Sequence, residues 1–208
     1  MKKNALVLSI ALTIFAFKIN AQKSNKSYGI QAGPNFARYT PRFPEPETKN
    51  VRNTGIIGFY LGGFINFEIS KKLRIRPSLI FALQGSKLKF ENIDFINIDN
   101  SMSTSSFSVK VVESTILVPV AVQNYLHEKF YIEAGPQIGY TINTRGTFDD
   151  GTPSETIINN DKLDFGFIAG LGYDLNENFT LNSRYFFGIT ERRDFKTSAL
   201  NIGIEYNF

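Results

Sequence analysis

From Tyr28 to Phe208 the apolar residues of almost every hydrophobic segment recur at alternate positions, and period two is the signature of strands with one apolar and one polar face. At the C-terminus Leu200, Ile202, Ile204, Tyr206 and Phe208 fall on one face, opposite Asn201, Gly203, Glu205 and Asn207. Leu73, Ile75, Leu79, Phe81 and Leu83 stand opposite Arg74, Arg76, Ser78 and Gln84 in the same way. So do Phe130, Ile132, Ala134, Ile138, Tyr140 and Ile142 against Tyr131, Glu133, Gln137 and Thr141. Eight such segments are predicted, at 28–37, 55–69, 73–88, 110–125, 130–143, 163–175, 179–190 and 197–208, and no helix of useful length fits between them.

The connections alternate in length. Those at 38–54, 89–109 and 144–162 are long, those at 70–72, 126–129 and 176–178 are short, and 191–196 is intermediate. An even number of strands joined alternately by short and long connections is the pattern of an up-and-down transmembrane β-barrel, with short periplasmic turns and longer extracellular loops. The expected fold is therefore an all-β, eight-stranded antiparallel up-and-down transmembrane barrel, with both termini in the periplasm.

Export is expected from the first residues. Lys2 and Lys3 precede an apolar run from Ala5 to Phe17, too short to span a bilayer, and Ala21 offers a cleavage site. Residues 1–21 are thus expected to be a signal peptide and 22–208 the barrel domain. With the three lysines of the signal gone, 20 basic residues face 19 acidic ones, so charge gives no reason to expect nucleic acid as a partner. Cysteine is absent, which excludes both disulfides and lipid attachment at a cysteine. The 20 Phe and 9 Tyr need a place, and two aromatic girdles supply one. Phe67, Phe130, Tyr173, Phe179, Tyr206 and Phe208 lie near the short turns; Phe36, Tyr39, Phe90, Tyr140, Phe165 and Phe187 lie near the opposite ends.

A soluble lipocalin-like carrier is the structural competitor, but it would bury its apolar face around a ligand. Here the polar face carries Glu68, Arg74, Arg76, Glu113, Glu133, Arg184 and Glu205, and Arg or Lys facing lipid at mid-bilayer costs about 2–4 kcal/mol each. Those seven residues are therefore assigned to the lumen as a charge network. Pro34, Pro77, Pro119 and Pro136 fall inside proposed strands, where bulges or bends near the rims, helped by Gly33 and Gly135, are the expected accommodation. An internal echo links Ile30-Gln31-Ala32-Gly33-Pro34-Asn35-Phe36 with Ile132-Glu133-Ala134-Gly135-Pro136-Gln137-Ile138, four strands apart, and Gly58-Phe59 with Gly166-Phe167.

Several motifs resemble the PorT-like, or porin-family, outer-membrane barrel domain of Bacteroidetes. They are Tyr28-Gly29-Ile30-Gln31-Ala32-Gly33-Pro34-Asn35-Phe36, Ile116-Leu117-Val118-Pro119-Val120-Ala121-Val122, Ala134-Gly135-Pro136 and Tyr206-Asn207-Phe208. The resemblance implies fold and location, and supplies no catalytic or ligand residues. The aromatic ending, Tyr206 and Phe208, looks like the signal read by the barrel-assembly machinery.

Chemistry is sparse. The single histidine, His127, lies in a predicted turn without a nucleophile beside it in the sequence. Asp149-Asp150-Gly151 with Glu155 lacks the spacing of an EF-hand, and Arg192-Arg193-Asp194 is a charged outer-loop motif that could touch lipopolysaccharide phosphates. No enzyme activity, catalytic residue, metal or cofactor is expected. The expected partners are outer-membrane lipid, the barrel-assembly machinery and an unidentified extracellular or secretion partner bound through the loops. The leading function is a structural or interaction barrel with its lumen plugged by charged side chains; a small-solute channel, a secretion-associated component and the lipocalin-like carrier are the alternatives.

Overall fold

The computed structural model describes residues 26–41, 51–96, 102–154, 162–192 and 195–208. The predicted signal peptide at 1–21 lies outside them. The strands are β1 (Lys26–Pro41), β2 (Val51–Glu68), β3 (Leu73–Ile96), β4 (Met102–Tyr125), β5 (Phe130–Phe148), the two-residue β6 (Pro153–Ser154), β7 (Leu163–Asp174), β8 (Phe179–Gly188) and β9 (Phe195–Asn207). Each long strand pairs antiparallel with its neighbours in the order β4-β3-β2-β1-β9-β8-β7-β5, and the β4–β5 pairing closes the ring. Eight strands thus form a closed barrel without a free edge. The short β6 only folds back on the end of β5, pairing Gly146 with Ser154.

The alternation read from sequence sets the two faces. In β9, Asn201, Gly203 and Glu205 are buried, while Ile202 and Ile204 are exposed on the outside. The outer wall continues through Leu61, Leu79, Val118, Ile138, Phe167 and Leu181, an apolar surface that water would penalise and lipid accepts. Phe130 pairs with Tyr173, Phe179 packs edge-on against Tyr206 at 5.1 Å, and Tyr206 against Phe208 at 5.4 Å. These rings form an aromatic belt beside the short turns. At the loop end Phe36, Tyr140, Phe165 and Phe187 also point outward.

Two members of the predicted outer girdle do not. Tyr39 shares the parity of the buried Gln31, Asn35 and Ala37, and so faces inward. Phe90 shares the parity of the buried Gln84 and Ser86, and stacks on Phe107 at 4.8 Å. Position near a strand end suggested a lipid contact for both; the pleat, which alternates strictly, overrules it.

The prolines are accommodated without the bulges expected of them. Register passes through each of them unbroken: Ala32 pairs with Ile204 and Asn35 with Asn201, so the ladder only skips Gly33 and Pro34. Similar skips occur at Pro77 towards β2, at Pro119 towards β3 and at Pro136 towards β4. A proline that lacks its N–H loses a local bond and needs no extra residue. The register shifts lie elsewhere, at Gly55/Tyr60 and Phe90/Ile93 on the loop-end halves of β2 and β3, and at Ser114/Thr115 in the middle of β4. The internal echo is structural too. A Cβ on Gly33 would meet the Ile202 carbonyl at 2.0 Å, and one on Gly135 the Val120 carbonyl at 1.9 Å, each beside a skipped rung.

A third difference concerns length. β3 and β4 are 24 residues each, whereas β8, at 10, is about what a bilayer crossing requires. Most of the loop predicted at 89–109 is therefore a paired ribbon, Ile93 with Ser105 and Ile96 with Met102, that carries the wall beyond the membrane.

Candidate functional site: the charged lumen

The inward faces of the strands converge on a lumen whose charges are arranged by height. At the short-turn rim the guanidinium of Arg74 lies 3.2 Å from Glu68, donates to the Tyr125 hydroxyl at 2.6 Å and sits over the Tyr125 ring. Tyr125 in turn donates to Asp174 at 3.1 Å, and Thr180 to the other oxygen of Asp174 at 2.6 Å. This rim is half-exposed.

One level further in lie two buried ion pairs built wholly from strands. Arg76 of β3 reaches across to Glu205 of β9, Nη1 to Oε2 at 2.5 Å, and its Nε donates to Asn66 at 2.6 Å. Asn182 donates to the second Glu205 oxygen, and the Tyr60 hydroxyl donates to Asn182 at 3.2 Å. Arg184 of β8 donates from Nε to Glu133 of β5 at 2.6 Å, while Gln123 donates to the other Glu133 oxygen at 3.0 Å. Arg76 and Glu205 are 1% and 0% exposed at their side chains, so each charge depends on its partner. The guanidinium of Arg76 also lies 4.1 Å above the Phe64 ring, a cation–π contact in a dry setting.

Large side chains fit because glycines face them. A Cβ on Gly172 would lie 2.1 Å from the Tyr131 ring, and one on Gly203 would lie 2.0 Å from the Tyr60 hydroxyl. With no side chain at those positions, the Tyr131 ring packs over Gly172 and the Tyr60 hydroxyl over Gly203. Ile168, Phe186, Ala37, Ala121 and Ala199 form one apolar cluster, and Tyr60, Ile80, Ala82 and Leu117 another. On β8 the apolar Phe186 follows Arg184, and on β9 Ala199 lies between Asn201 and Thr197; the charges are thereby divided into two levels.

The upper level is a single cluster around Arg192. Its guanidinium makes a two-pronged contact with Glu113, at 3.2 and 2.9 Å, donates to Thr141 and Thr197, and lies 3.7 Å from Asp164. Arg192 belongs to the β8–β9 connection, held by a bridge to Phe195, and folds back into the mouth of the barrel. The charged outer-loop motif is corrected at this residue: Arg192 is buried against carboxylates and turned away from any membrane phosphate, while Arg193 and Asp194 lie outside the described residues.

Of the seven residues assigned to the lumen, Arg76, Glu113, Glu133, Arg184 and Glu205 are buried there, and Glu68 and Arg74 meet at the rim. Arg192 and Asp164 were missed. Charge counting held the clue, since three arginines cannot each neutralise one of four glutamates and leave the set balanced. His127 is exposed in the turn between β4 and β5, whose backbone is closed by bonds between His127 and Phe130. Asp149 is engaged by Lys87 at 2.9 Å and by the Ser108 hydroxyl, and these contacts hold its carboxyl below the ordinary aspartate range. Asp150 caps the turn by accepting from the Thr152 amide and hydroxyl, which lowers it likewise; Glu155 lies outside the described residues.

Comparison with known proteins places this geometry. Residues 20–192 match the model of the outer membrane protein β-barrel domain family. Among solved structures, Neisserial surface protein A superposes with a TM-score of 0.52 at 14% identity, covering 88% of this chain and 99% of that one. The attachment invasion locus protein of Yersinia pestis, in complex with the heparin analogue sucrose octasulfate, gives 0.49 at 16% identity over 88% and 99%. The outer membrane protein OprG of Pseudomonas aeruginosa gives 0.44 at 12% over 89% and 97%. An uncharacterised protein of Haemophilus influenzae is 40% identical over 50 residues, 23% of this chain and 71% of that protein.

Proposed function

We propose that this chain, which belongs to the outer membrane protein β-barrel domain family, is a non-conducting barrel that presents its loop end to partners at the cell surface, with both termini in the periplasm. The observation that carries the reading is the lumen, where two buried ion pairs, an apolar level and the Arg192 cluster succeed one another. A hydrated ion would have to break paired charges and then cross Phe186, Ile168 and Leu117; both steps are costly in a low-dielectric interior. Eight strands enclose only enough room for side chains, whereas aqueous porins use 16–18.

The partner surface belongs to the long connections and the β3–β4 ribbon, since variable contacts on rigid scaffolds are carried by loops. The periplasmic assignment of the termini is supported by the three tight turns on their side of the barrel and by the aromatic belt beside Phe208. The narrower likeness to the PorT-like group is part of the proposal and rests on the Ala-Gly-Pro and Tyr-Asn-Phe motifs. Tyr206 and Phe208, on the outer face at the last strand's end, suit recognition by the assembly machinery.

Planar-bilayer recording of the folded barrel tests the reading. Silence under applied voltage is the expected result; steady single-channel steps would turn the assignment to small-solute transport.

A further inference from the structure

Outside the barrel, the strands that overshoot the apolar wall change character abruptly. On β3 the outward positions run Leu79, Phe81, Leu83, Gly85, Lys87, Lys89, and on β4 they run Val118, Ile116, Ser114, Val112, Lys110. The register brings the cations together: Arg52 pairs with Lys89, Lys87 with Lys110, and Val112 with Arg145. Five cations on four adjacent strands thus occupy one outward face. Two carboxylates answer them, Glu91 at 3.3 Å from Arg52 and 2.8 Å from Lys89, and Asp149 at 2.9 Å from Lys87. Among the described residues Lys110 and Arg145 have no ion-pair partner, and both are exposed. Lys87 and Lys110 stand directly opposite, a like-charge pairing that destabilises a sheet, and Asp149 answers Lys87 alone.

Height identifies the anion. Lys87 is four residues beyond Leu83, roughly 13 Å along a strand, so the patch lies just past the edge of the apolar wall formed by Phe81, Leu83, Ile116 and Ile142. A ligand fitting both surfaces carries phosphate above and acyl chains below. We infer that Arg52, Lys87, Lys89, Lys110 and Arg145 form a site on the outside of the barrel for the phosphates of a membrane glycolipid of the leaflet at the loop end. This rests on the proposed orientation for calling that leaflet the outer one. Lysines act here as point charges, while Arg52 and Arg145 offer forked donors suited to phosphate oxygens.

The test uses the folded full-length barrel in neutral detergent, titrated with bis-phosphorylated lipid A, with the same lipid after phosphate removal, and with inorganic phosphate. The readout is the temperature at which the unboiled band converts to the unfolded one. The phosphorylated lipid should raise that temperature, and the other two should not. Lys87→Gln, Lys110→Gln and Arg145→Gln should each demand roughly fivefold more lipid for half the effect, and the triple variant about a hundredfold more. Lys71→Gln with Lys72→Gln, at the short-turn end, should change nothing. Equal titrations of wild type and the single variants, or an equal response to the phosphate-free lipid, would overturn the site. Saturation by inorganic phosphate would reduce it to a small-anion site and overturn the lipid assignment. Orientation is read separately: the chain has no cysteine, so Met102→Cys and Lys129→Cys, labelled on intact cells, report which end is outside without touching the titration.

Discussion

The lumen holds two buried charge clusters that answer the same problem differently. The lower one pairs Arg76 with Glu205 and Arg184 with Glu133, as many cations as anions, each side chain anchored on a strand whose neighbours fix its height. The upper one sets a single cation, Arg192, against Glu113 and Asp164, and takes that cation from a connection outside the barrel wall. In the lower cluster closure of the sheet positions the charges. In the upper one the charges position a loop.

The comparison can be broken most forcefully from below. Arg76→Met or Glu205→Leu leaves one charge buried without its partner and is expected to cost about 3–5 kcal/mol, whereas the double variant should recover most of that loss. Urea unfolding in detergent, run as a double-mutant cycle, measures both; a double variant as unstable as the singles would mean that packing, not charge, dominates this level. The upper cluster should yield a smaller effect. Arg192→Met is expected to cost about 1–3 kcal/mol, because Thr141 and Thr197 remain beside the freed carboxylates at the mouth of the barrel. Hydrogen exchange should rise in the β8–β9 connection and stay low in β3 and β9. If both levels lost protection equally, the division between them would fail.

The smallest effect lies beyond the membrane. Ser108, and after it Lys87, hold the Asp149 carboxyl below its ordinary value, so these contacts contribute when pH exceeds the unfolded-state pKa and are lost as pH falls through the lower, folded-state one. Exchange in the upper β3–β4 ribbon is therefore expected to quicken as acid passes below the aspartate range, with the barrel wall unchanged. An acid response shared by wall and ribbon would contradict it.

Strand number, facing and the inward course of the polar side were legible because the pleat repeats at two and hardly any other physical arrangement does. Tyr39 and Phe90 show how that signal can be set aside: their parity with Asn35 and Gln84 pointed inward, yet closeness to strand ends suggested lipid. The length of β3 and β4 was hidden for another reason. Residues 89–109 are rich in Ser and Asn, a loop-like composition, and the cross-strand pairs that hold such a ribbon, Phe90 on Phe107 among them, appear only once the two strands are aligned. A further cation could be suspected from four glutamates set against three arginines, but the path of Arg192 back into the mouth depends on a bridge to Phe195 that no local pattern announces. The prolines suggested bulges or bends because a missing N–H says nothing about whether register will hold beyond it.

The pairing of Arg76 with Glu205 joins residues 129 apart in the chain, the third strand to the last, and Asn66 reaches Asn207 across a similar span. A barrel missing its final strand would therefore carry an unpaired guanidinium facing its interior. Completion of the sheet and neutralisation of that charge are one event, so the strand that closes the ring is also the one that settles its interior.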